Sequence, residues 1–179
     1  MAMATRRKTW TLEELHSLPD DGNKYELVRG ELFVTPPPTE EHETILARLT
    51  LLLVPFVSAN DLGLVYHPRA VLRFKGSEVE PDLMVRQPQS NRRADWDTAP
   101  TPILVVEVLS DSTRRRDRTE KKDLYLDAGV PEYWILDAGR RTITLMRPGM
   151  PDRVEQERFV WRPRGTSSGL DIQLANVFG

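Results

Sequence analysis

The sequence predicts an α/β fold, a mixed β-sheet core flanked by helices. Three observations carry that prediction. Ile103-Leu-Val-Val-Glu-Val-Leu109 is an apolar run without alternation, the pattern of a central strand covered on both faces. Two long stretches, one from Thr39 and one from Ser110, read as helices. The remaining apolar segments are short and separated by Gly, Pro, Asn and Asp clusters, as strands joined by turns are.

In chain order, Thr11-Leu-Glu-Glu14 has capping-box spacing and predicts a short helix from Leu12 to about Leu18. Pro19-Asp-Asp-Gly-Asn23 is a turn. Lys24 to Val28 and Glu31 to Thr35 read as a hairpin around Arg29-Gly30, and three prolines at 36–38 then break the chain. From Thr39, the positions Ile45, Leu46, Leu49, Leu52, Leu53, Phe56 and Val57 recur at three and four, which predicts an amphipathic helix. Pro55 is expected to kink or shorten its last turn.

Gly63 to Phe74 reads as extended and broken at Pro68, and Val79 to Val85 as one strand with Glu80-Pro81-Asp82 inside it. Gln87 to Thr101 reads as a loop. Ser110-Asp-Ser-Thr113 offers caps for one helix reaching about Ala128, closed by Gly129 and Pro131. Glu132 to Leu136 and Thr142 to Met146 form a second hairpin across Asp137-Ala-Gly-Arg-Arg141. A strand at Glu157 to Trp161 and a last segment, Leu170 to Phe178, complete the chain.

The 179 residues suffice for one domain, 1–179, with a sizeable core. Hydrophobic residues make up 39% and charged residues 29%, a globular rather than disordered balance. The net charge of -2 excludes a protein that is basic all over, so any nucleic acid must be held by a local patch. The absence of Cys excludes disulfide frameworks, thiolate metal sites and Cys nucleophiles, and fits a reducing, cytoplasmic location. No apolar stretch follows the basic start, and Leu49 to Val57 is far short of the roughly 20 residues that span a bilayer, so no membrane partner is expected.

Glu107 is the anomaly. Every neighbour from Ile103 to Leu109 is apolar, and a buried carboxylate costs several kcal/mol unless a cation or metal meets it. Asp82, directly after Pro81, is the second acid. Two acids near the ends of adjacent strands make an oxygen-rich site suited to Mg²⁺ or Mn²⁺. The competing readings are an Arg partner for Glu107 and a simple turn at Asp82. Lys121 and Tyr125 share a helix face, so Lys121 can reach back over the Glu107 strand. Lys122, its competitor, points about 100° away.

Pro81-Asp82, then Glu107-Val-Leu109, then Lys121 resembles the PD-(D/E)XK nuclease superfamily. The wider set is similar to the Uma-type putative restriction endonuclease family along nearly the whole chain. It comprises Tyr25-Glu-Leu-Val-Arg-Gly-Glu31, His42, Pro81-Asp82, Glu107-Val-Leu-Ser110 with Thr113, Lys121 with Tyr125, and Gly129-Val-Pro-Glu-Tyr-Trp134 through Asp137. The superfamily often places Lys two residues after the strand acid, on the same face. Leu109 stands there, and the family's migrated lysine maps to Lys121.

The resemblance implies a restriction-endonuclease-like sheet and Mg²⁺-dependent hydrolysis of DNA, with Mn²⁺ as a substitute. Asp82, Glu107 and the carbonyl of Val108 would hold the metal, with Lys121 assisting. Glu26 would be a further metal ligand or water-orienting acid, unless it is a surface acid paired with Lys24 or Arg29. His42 is a further candidate beside a helix-start role, and Glu31 and Tyr125 would support the site. Double-stranded DNA and a homodimer are the expected partners.

The basic residues Arg114, Arg115, Arg116, Arg118 and Lys122, with Arg86, Arg92 and Arg93 before them, are candidates for one rim of a DNA cleft, or else form a solvated helix end. Trp96 is the one tryptophan in a loop near that rim. Leu109 leaves a non-catalytic binding module as the rival reading, and composition does not separate DNA from RNA or nucleotides as substrate.

Overall fold

Strand periodicity decides which way the acids of this chain point. A computed structural model describes residues 8–91, 95–110 and 113–179. Its elements are α1 (Leu12–His16), β1 (Lys24–Val28), β2 (Glu31–Thr35), α2 (Glu40–Ala59), β3 (Leu64–Tyr66), β4 (Leu72–Phe74), β5 (Ser77–Val79), β6 (Leu83–Arg86), β7 (Leu104–Val108), α3 (Arg114–Arg118), α4 (Glu120–Asp127), β8 (Tyr133–Asp137), β9 (Thr142–Met146), β10 (Arg153–Glu155), β11 (Arg158–Trp161), β12 (Leu170–Gln173) and α5 (Leu174–Phe178).

The principal sheet has the order β10-β9-β8-β7-β6-β3. Its β7–β8 pair is parallel, crossed over by α3 and α4, and its other pairs are antiparallel. A second sheet, β2-β1-β5-β4, carries the expected first hairpin, and β11 and β12 form a third.

Residues 104 to 108 are buried on both faces. Leu104, Val106 and Val108 face a core shared with α2, α5, β11 and β12. Val105 and Leu109 face a second core with α4 and the smaller sheet. Period two therefore sends the Glu107 side chain to the α4 side, among Tyr125, Tyr133 and Leu109.

Three expectations are corrected. Val79 to Val85 is not one strand. Val79 ends β5 in the smaller sheet, Leu83 begins β6 in the larger one, and Glu80-Pro81-Asp82 is the link between them. Pro81, which has no N–H for a ladder, suits that link. The predicted helix to Ala128 is two helices, because the chain breaks at Thr119 (φ -125°, ψ -84°), whose hydroxyl donates to the Arg115 carbonyl. Pro55 does not shorten α2, which continues to Ala59 with Pro55 on its exposed side.

The sequence reading missed β10, a short edge strand with Arg153 and Val154 exposed. By length and composition α2 alone among the described helices could cross a bilayer. Its Ile45, Leu49, Leu53 and Val57 pack on the principal sheet.

Candidate active site

A cleft of about 770 Å³ opens where the β5–β6 link, the end of β7, the start of β1 and the first turn of α2 meet. Lys24, His42, Asp82, Glu107, Arg116 and Asp117 are on its wall. Thr39 caps α2 by accepting from the His42 N–H, which fixes His42 in that first turn.

Asp82 is buried. Its Oδ2 accepts from the Val108 N–H at 2.9 Å, its Oδ1 accepts from Lys24 Nζ at 3.1 Å, and His42 Nε2 lies 3.5 Å from Oδ2. Burial alone would raise its pKa; the Lys24 charge, with the Val108 N–H, outweighs it and holds the carboxyl below its usual value. Glu107 Oε1 accepts from Lys121 Nζ at 2.7 Å and from the Tyr125 hydroxyl at 2.6 Å. Burial, helped by Glu107, pushes that phenol well above its ordinary pKa and keeps it a donor.

Glu26 is fully buried, so it is not a surface acid. Its Oε1 meets Lys121 Nζ at 2.8 Å and the Glu80 N–H at 3.0 Å, and its Oε2 lies 3.4 Å from the Arg116 guanidinium. Burial opposes its ionisation, and Lys121 and Lys24 overcome that opposition and lower its pKa. Lys121 is buried as deeply; desolvation would strip its proton, and Glu107 and Glu26 hold it on.

Glu26, Asp82 and Glu107 are thus brought together, with Lys121 between Glu26 and Glu107. Lys121 and Glu26 lie behind Asp82 and Glu107, and neither is on the cleft wall.

The basic candidates separate. Arg114 lines the cleft and donates to Asp137 Oδ2 at 2.6 Å, and Arg118 and Arg140 approach the same oxygen at 3.7 and 3.1 Å. Arg115 is exposed beside Glu120. Lys122 pairs with Asp152 at 2.8 Å and is not on the cleft wall. Arg86 does not reach the rim: it is buried at the opposite end of β6 from Asp82, stacked on Tyr66 and Trp96. Trp96 therefore packs in the second core and not in the cleft. Arg92 and Arg93 lie outside the described residues. Glu31 sits at the hairpin in register with Val28.

Two site residues escaped the sequence reading. Lys24 was considered only as a partner for Glu26, although its spacing of two places both on one face of β1. Asp117 was not singled out, although it stands four positions before Lys121 and lies 3.9 Å from its Nζ. Burial and the nearby Glu107 push the Asp117 carboxyl up to about 6.

Among the described residues, no three His, Asp or Glu side chains gather closely enough to hold a metal by themselves. Asp82, Glu107 and the Val108 backbone nevertheless share one cleft wall. The four carboxylates of Glu26, Asp82, Glu107 and Asp117 exceed the three cations Lys24, Arg116 and Lys121 by one charge. Mg²⁺ is commonly held by one or two carboxylates with water and substrate phosphate completing its shell, so this donor set fits a hard divalent cation.

Asp82 on the β5–β6 link and Glu107 near the end of β7 thus face one cleft at the edge of a mixed sheet. The sequence profile of the Uma2 family, described as "Putative restriction endonuclease", matches residues 12–175, and the chain belongs to that family. It is also similar to a solved structure from Anabaena variabilis described as a putative nuclease belonging to DUF820. The TM-score is 0.78 at 20% identity, covering 94% of this chain and 97% of that one, so the two share a fold. No curated protein matches the chain.

Proposed function

We propose that this chain is a metal-dependent DNA endonuclease. The observation that carries the reading is the delivery of Asp82 and Glu107, from the β5–β6 link and from β7, into one cleft with an excess of acid. Membership in the family described as putative restriction endonuclease supports it. Asp82, Glu107 and the Val108 carbonyl would hold Mg²⁺ or Mn²⁺, which when bound supplies a water of lowered pKa and polarises the phosphoryl oxygen.

The chain's own residues do the positioning. The Val108 N–H fixes Asp82, Tyr125 and Lys121 fix Glu107, and Lys121 ties Glu26 to the same centre. Arg114 on the cleft wall, Arg118 gathered beside it by Asp137, and the exposed Arg115 supply positive charge for backbone phosphates. Double-stranded DNA and a homodimer complete the reading. Exposed Leu51 and Val54 on α2 and Leu64 on the edge strand β3 support a second copy docking there.

The test is incubation of the purified protein with supercoiled plasmid at low salt, in Mg²⁺, Mn²⁺ or EDTA, beside Asp82→Ala. Nicking or linearisation that requires metal and vanishes in the variant is the expected result. Intact plasmid, single-stranded DNA and RNA under every condition would favour a non-catalytic binding module. Cleavage of RNA alone would move the substrate class.

A further inference from the structure

We propose that Lys24, and not Lys121, is the lysine that meets the phosphodiester in the cleft, an inference that rests on the hydrolytic reading above. Lys121 has no exposed side-chain surface, and its ammonium donates to Glu107 and is paired with Glu26. To touch a substrate it would have to leave two buried carboxylates uncompensated, at a cost of several kcal/mol. Its place is behind the acids, where it holds their charge and geometry.

Lys24 is built differently. It stands at the start of β1, its backbone held in register with Thr35, and its side chain is 17% exposed on the cleft wall. Nζ donates to the Glu80 carbonyl and to Asp82 Oδ1, both at 3.1 Å. An ammonium has three hydrogens, so one remains for a ligand. A phosphate oxygen next to Asp82 therefore meets a fixed positive donor. The chemistry expected of a lysine two residues after the strand acid, where Leu109 stands, is supplied from another sheet.

A lysine serving only as counter-ion to Asp82 would, on removal, leave the cutting step at saturating metal unchanged, whatever the effect on metal affinity. The experiment is single-turnover cleavage of a duplex at saturating Mg²⁺ by the parent, Lys24→Met and Lys24→Arg, with Mn²⁺ affinity read by electron paramagnetic resonance. Lys24→Met is expected to cut about 100-fold more slowly with Mn²⁺ affinity equal or higher, and Lys24→Arg to regain about tenfold of that loss. Should Lys24→Met fail to fold, Lys24→Gln carries the same expectation, since its amide still donates to the Glu80 carbonyl. Cleavage by the folded variant within about threefold of the parent overturns the inference alone. A parent that cuts nothing overturns the hydrolytic reading and this inference with it.

Discussion

Lys121 Nζ lies 2.7 Å from Glu107 Oε1, and both side chains are buried. The pair includes Glu26 on the far side of the ammonium and the Tyr125 hydroxyl on the carboxylate. Removing one member of such a cluster leaves the others buried and unpaired, which typically costs about 3–5 kcal/mol. Lys121→Met is therefore expected to lower the unfolding free energy from urea titration by that amount, whereas Lys122→Met, whose partner Asp152 is half exposed, changes it by about 1 kcal/mol or less. Glu107→Gln, which keeps an oxygen acceptor for Lys121 and Tyr125, should fold better than Glu107→Ala. Equal stability of Lys121→Met and Lys122→Met would show that the buried cluster holds nothing together.

Asp117 gives the site a pH signature. Its carboxyl titrates near 6 in the folded chain, against 3.8 when unperturbed, because burial and Glu107 disfavour the charge. The folded state thus binds the extra proton, and its contribution is complete below pH ~4 and lost as pH rises through ~6. At neutral pH the ionised group destabilises the fold by about 3 kcal/mol at most, from a shift of roughly two units. Asp117→Asn, which has no proton to lose, is expected to gain stability relative to the parent between pH 4 and 7, with the difference level above that. Urea midpoints measured at several pH values decide it. A difference that is flat from pH 4 to 8 would mean that the native carboxyl is not raised.

The parts of the site that the sequence displays are those fixed by local rules. The Lys24–Thr35 hairpin followed from its turn, and the run Ile103–Leu109 identified both the central strand and the misfit acid within it. Lys121 beside Tyr125 on one helix face placed the ammonium against Glu107. What was illegible is set by sheet membership and side-chain depth. Nothing local says that Val79 and Leu83 belong to different sheets: Val79 pairs back onto Leu72 of β4, whereas Leu83 pairs forward with Val106 of β7. Nor does helical spacing say that Lys121 lies behind the carboxylates while Lys24, almost a hundred positions earlier, faces the cleft. The Thr119 break was hidden for a related reason, since a threonine hydroxyl can leave an otherwise helical pattern intact in sequence and still divide it.

The arginines around Asp137 make a prediction about salt. Arg114, Arg118 and Arg140 converge on one buried carboxylate, so a single negative charge orients three guanidinium groups, of which Arg114 lines the cleft. Asp137 is held below its usual pKa against the effect of burial by Arg114 and Arg140, and remains ionised wherever the arginines are useful. Arg140 is well exposed and Arg118 partly so, which leaves both able to reach a backbone phosphate. Each phosphate contact releases condensed counterions, so Arg118→Ala and Arg140→Ala are each expected to reduce the slope of log affinity against log salt by about one. The loss should be the same for unrelated duplex sequences, since phosphates carry no sequence information. Lys122→Ala, whose ammonium is engaged by Asp152 away from the cleft, should leave the slope unchanged. Fluorescence anisotropy of a labelled duplex in Ca²⁺ from low to moderate salt measures all three, and a reduced slope in Lys122→Ala alone would move the DNA track from the Asp137 arginines to the outer face of α4.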